Sequence, residues 1–145
     1  MPEDPLSHYA PANDAERATL EEHWAGGRLQ ERLTRVLEFV ERHREEIRWR
    51  ASAATAAPDP LAFVETVKRL IIEAGSVHHR SEMHDQVRAI HDEIWIRGER
   101  GDYDREFITR NWTSRHAAAW RHWRLKEYVF VANHAVGAIT ETVRG

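Results

Sequence analysis

The clearest hydrophobic periodicity in the chain runs from Arg28 to about Ala56, where Leu29, Leu33, Val36, Val40, His43, Ile47, Arg50 and Ala54 recur at spacings of four and three. A helix returns to the same face every third or fourth residue, so this spacing predicts a helix with an apolar seam. Leu37 widens the seam in its first half, whereas the second half admits His43 and Arg50. Burying either of these unpaired costs on the order of several kcal/mol, so the seam should open toward solvent near Arg50. The pairs Glu31/Arg35, Glu38/Arg42 and Glu46/Arg50 place the acid first at four-residue spacing. Such pairs support a helix by ~0.3 kcal/mol each and read as a solvated face, not a binding site.

Other segments carry weaker versions of the same pattern. Asn13 or Asp14 offers a cap for a short helix ending near Ala25, before Gly26-Gly27, with Leu20 and Trp24 on its buried side. Pro58-Asp59-Pro60 breaks one helix and opens the next, in which Phe63, Val64, Val67, Leu70, Ile71 and Ala74 share an arc up to a stop at Gly75. Ser76 or Ser81 is a candidate cap for a helix running to about Arg97, with Met83, Val87, Ile90 and Ile94 as its core stripe. A turn at Gly98–Asp102 follows, and Asp102 or Asp104 caps a helical stretch from Tyr103 to Val143, with a break expected at Asn111–Ser114.

The final helix of that stretch, Ser114 to Val143, carries two stripes. One is aliphatic (Ala118, Leu125, Val129, Ala132, Val136, Val143); the other is aromatic (His116, Trp120, Trp123, Phe130, His134) and encloses Glu127. A helix with two buried sides is either central or keeps one side for a partner. No strand-like alternation and no internal repeat is visible, so the fold class is all-α: a single-domain bundle of five or six helices over 13–145. Three of the five prolines fall in the first eleven residues and predict a disordered N-terminal tail over 1–12.

Composition narrows the chemistry. At 41% hydrophobic and 31% charged, the chain is too apolar for disorder and too interrupted by charge for a membrane protein. No apolar run approaches the roughly 20 residues that cross a bilayer, and the acidic, proline-rich start is unlike a signal peptide, which predicts a cytoplasmic protein without membrane contact. The absence of cysteine excludes disulfides, thiolate nucleophiles and cysteine-held zinc. A net charge of −3 supplies no global basic field for nucleic acid.

Ten histidines make a metal centre the first enzymatic reading to weigh. His84 and His91 lie on one helix face but two turns, roughly 10 Å, apart, too far to share an ion. Neither a His-x-x-x-His nor a Glu-x-x-His pair occurs, so a metal site would have to assemble across helices from His84, His91, His116, Glu127 and His134. The serines lie in the tail, in an Ala-rich stretch or at helix caps, and the glycine pairs lack phosphate-loop spacing, so no catalytic residue and no cofactor is assigned. Arg100-Gly101-Asp102 matches an integrin-recognition string, which at three residues reads as chance.

The densest unusual segment is 110–128, where arginines alternate with tryptophans. Bases stack on aromatic rings while guanidinium groups meet phosphates, so Arg110, Arg121, Arg124 and Tyr128, which share a helix face, define a nucleic-acid alternative. An arginine-rich solvated strip beside a tryptophan-packed core explains the segment more simply. Six tryptophans in 145 residues, and the double-sided last helix, favour instead a non-enzymatic interaction protein that forms a homodimer. Its expected contact is the aliphatic half of the early seam: Leu29, Leu33, Val36, Leu37 and Val40.

Overall fold

The computed structural model describes residues 4–54, 57–101 and 104–145. These residues are helical, without strands, and form seven α-helices, not five or six. A one-turn 3-10 helix (Pro5–Tyr9) in the segment expected to be a disordered tail precedes α1 (Asp14–Ala25), α2 (Gln30–Arg42), α3 (Arg44–Ala54) and α4 (Pro60–Ala74). Then come α5 (His79–Glu99), α6 (Arg105–His134) and α7 (Val136–Arg144). Among the described residues no helix is long and apolar enough to cross a membrane.

Local signals explain most helix ends. At α1, Asn13 Oδ1 accepts the Glu16 amide at 2.9 Å while Glu16 Oε1 accepts the Ala12 amide at 2.9 Å, so side chains satisfy donors that the first turn leaves unpaired. Asp59 accepts the Ala62 amide at the start of α4. Gly75 ends α4 at φ 72°, a left-handed conformation that costs a side chain and suits glycine. The cap of α5 differs from expectation: His78 Nδ1, not Ser76 or Ser81, accepts the Ser81 amide at 3.2 Å. Asp104 caps α6 through the Phe107 amide, whereas Asp102 and Tyr103 lie outside the described residues.

Three helix boundaries correct the periodicity. The long early helix is interrupted at His43 (φ −110°, ψ 19°), which is why α2 and α3 are separate. The bend redirects the buried face of α3 to Ile47 and Ala51, and Arg50 is left at the edge, where Glu73 (2.7 Å) and Glu46 (3.0 Å) meet its guanidinium. The expected break at Asn111–Ser114 is absent; Ser114 Oγ bonds back to the Asn111 carbonyl at 3.3 Å, and Ile108 and Trp112 anchor the turns around it. The break falls instead at Ala135 (φ −121°, ψ 32°), so Val136 and Val143 belong to α7 and not to the preceding helix.

The chain separates into two compact units, one comprising the chain up to Val77 together with Arg124–Gly145, the other His78–Trp123. In the first, α7 packs against α4, α2 and α3, with Ile139 and Val143 buried alongside Val36, Val40, Ile47 and Val67. Every residue from Arg124 to Ala132 is buried, whereas His116, Ala118 and His134 of the two expected stripes are exposed. Leu20 of α1 is buried, and Trp24 is half-buried near the His134 ring at a centroid distance of 5.4 Å.

In the second unit the buried residues are Glu82, Ile108, Trp112 and Ala117. Here the expected core is not built: Met83 and Val87 are 54% and 51% exposed, and Ile90, Ile94, Trp120 and Trp123 are only half-buried. The single buried residue of α5 is a carboxylate, Glu82.

Candidate interaction surface

At 100° per residue, Met83, Val87, Ile90 and Ile94 fall within an arc of roughly 60° on α5. Two of the four, Met83 and Val87, are more than half exposed, and Ile90 and Ile94 are half-buried. Trp95, 71% exposed, lies roughly 110° around the helix from the centre of that arc. Exposed apolar residues elsewhere, such as Trp49 on α3 and Leu61 on α4, stand singly, which is ordinary for a protein surface. The stripe was legible in the sequence as apolar spacing; its exposure was not, because spacing alone does not say whether another helix lies against it.

A second cluster, in the first unit, is polar and buried. Glu127 Oε1 accepts from Arg32 Nε at 3.4 Å and forms an ion pair with Arg124 Nε at 3.1 Å. Arg35 reaches the Tyr128 hydroxyl at 3.4 Å and pairs with Glu31, and Lys126 Nζ pairs with Glu16 at 2.8 Å. Among the described residues no buried side-chain nitrogen or oxygen lacks a partner. A network satisfied in this way orients helices and leaves no donor aimed at a ligand.

The metal candidates do not converge. His84 and His91 are exposed on α5, His116 is exposed on α6, and Glu127 is enclosed by arginines. His134 stacks on Phe130 at 4.2 Å between ring centroids. Among the described residues no group of three or more His, Asp or Glu is placed to hold a metal ion. The nucleic-acid candidates divide as well: Arg110 and Arg121 are exposed, whereas Arg124 and Tyr128 are buried in the other unit. One wheel face therefore passes from solvent into core along α6, and two of the four candidates have no exposed surface to offer a phosphate or a base.

The self-association candidates lie in the first unit. Leu29, Val36 and Val40 are buried within one chain, and Leu33 and Leu37 are half-buried. The helix that covers α2 is α7, so the early seam is occupied by the chain's own C-terminal helix.

The Leu6 amide and the Arg69 guanidinium, at 3.1 Å, hold the Asp4 carboxyl below its usual value, and Asp4 in turn raises Arg69. The Glu73 carboxylate raises Arg50. No family model matches the chain, and no curated protein and no solved structure matches it.

Proposed function

We propose that the chain is a non-enzymatic helical interaction protein that self-associates, and that the α5 stripe is its contact surface. One observation carries the reading: on α5 the apolar residues Met83, Val87 and Trp95 are more than half exposed while its one buried side chain is Glu82. Exposing such a stripe is unfavourable at about 25 cal/mol per Å², and a second copy removes that cost.

Sedimentation velocity over a hundredfold concentration range tests this. The parent chain should rise above its monomer mass of 17.0 kDa with concentration, and Val87→Glu should weaken the association at least tenfold. A mass constant at 17.0 kDa throughout would refute self-association.

A further inference from the structure

From the exposed part of α6 we infer a second surface, one that docks in the major groove of duplex DNA; none of its residues lies on α5, so it stands apart from self-association. No aspartate or glutamate occurs from Phe107 to Lys126, although such residues make up 24 of the 145, and the run carries Arg110, Arg115 and Arg121. All three arginines are exposed, and among the described residues none pairs with a carboxylate; Arg110 Nε reaches only the Glu106 carbonyl of its own helix, at 3.4 Å. On other helices Arg50, Arg69 and Arg97 are each met by a glutamate four residues earlier. The cations of α6 are therefore uncompensated locally, in a chain whose net charge is −3.

They form two flanks, not one cluster. At 100° per residue Arg110 and Arg121 fall within roughly 20° of each other, and Arg115 stands roughly 120–140° away around the helix. Ser114 and Ala118, both exposed, and Asn111, half-buried, lie between the flanks. Buried Ala117 bounds this face on one side, and buried Ile108 and Trp112 bound it on the other. Asp104 and Glu106 stand at the N-terminal end of α6 and limit the face there.

The shape selects the partner. A helix with its side chains is about 10–12 Å across and the major groove of B-form DNA about 12 Å wide, so a helix lying in it meets a phosphate backbone on either side. Arg110 and Arg121 serve one backbone and Arg115 the other, while the short neutral side chains between them let the helix approach the base edges. From Arg110 to Arg121 the helix advances roughly 16 Å, the length of about five base pairs. An A-form RNA duplex has a major groove too deep and narrow to admit it. A single strand needs exposed rings to stack on, but Trp112 is buried and Trp120 and Trp123 lie outside this face. A lipid surface needs apolar side chains between the cations, where this helix has Asn111, Ser114 and Ala118.

Fluorescence anisotropy of a labelled, mixed-sequence DNA duplex tests the surface. Three phosphate contacts give a slope of about −2.7 in log affinity against log salt, so binding should fall roughly 40-fold between about 50 and 200 mM salt. Arg115→Gln should reduce the slope to about −1.8, and Arg110→Gln with Arg121→Gln to about −0.9. Arg17→Gln, the same charge change at an exposed position on α1, should leave the parent slope unchanged. Far-UV circular dichroism checks each variant for parent-like helicity. No binding of the duplex at about 50 mM salt would overturn the inference, as would an Arg17→Gln effect equal to that of Arg115→Gln. Single-stranded DNA or duplex RNA bound as tightly as the DNA duplex would overturn the groove fit. Polyglutamate bound equally well would overturn DNA as the partner in favour of an acidic protein.

Discussion

Replacing Glu127 with alanine tests whether the central segment of α6 is held by its buried charges. The Glu127 side chain is 7% exposed, and the arginine side chains at its Oε1 are 17% exposed for Arg32 and 11% for Arg124. Glu127→Ala removes the carboxylate shared by the two guanidinium groups, of which Arg32 keeps Glu31 at 3.6 Å, and breaking a buried pair from one side costs about 3–5 kcal/mol. Arg32, the more exposed of the two, regains some water, which places the expected loss near the lower end, about 3 kcal/mol. That is a large share of the roughly 5–15 kcal/mol by which domains are stable, and it corresponds to a fall of about 6–12 °C in Tm. Glu46→Ala is the internal comparison, since its side chain is 45% exposed and that of its partner Arg50 is 35% exposed, and exposed pairs contribute less than about 1 kcal/mol. Urea denaturation followed by circular dichroism, with the midpoint compared at unchanged slope, measures both. A Glu127→Ala loss below about 1 kcal/mol, or no larger than that of Glu46→Ala, would refute the reasoning. The triple variant Arg32→Met, Arg124→Leu, Glu127→Leu should recover most of the lost stability, because it removes Glu127 together with the two guanidinium groups at its Oε1.

Further expectations concern the core and the acid limb. Ile139→Ala, at a fully buried position on the helix that packs against α4, α2 and α3, should cost about 2–5 kcal/mol in the same denaturation assay; a loss under about 1 kcal/mol would contradict the placement of α7. Asp4 should titrate below 3.8 in an NMR carboxyl titration, because its pKa is depressed by the Leu6 amide and Arg69. Its contribution to anchoring the N-terminal turn is then complete above 3.8 and lost as pH falls through the lowered value; a midpoint at or above 3.8 would count against the Arg69 contact.

Much of the helical framework was legible in the sequence, because helix caps and stops act over a few residues. Asp59 with Pro60 at one end of α4 and Gly75 at the other were readable for that reason, and Phe63, Val64, Val67, Leu70 and Ile71 are buried as their arc predicts. The interruptions at His43 and Ala135 carry no proline or glycine of their own and depend on where the following helix packs, against α4 and α7 for α3 and against α4, α2 and α3 for α7. Burial is a property of neighbours and not of spacing. Arg110 and Arg121 share a wheel face with Arg124 and Tyr128, yet only the latter pair lies where other helices enclose α6. The same holds for two apolar stripes. Spacing alone determined that α2 and α5 each carry one, but the tertiary structure decided that α7 covers the first and that Met83 and Val87 of the second face water, because a helix buries its apolar face only where the fold brings another surface against it.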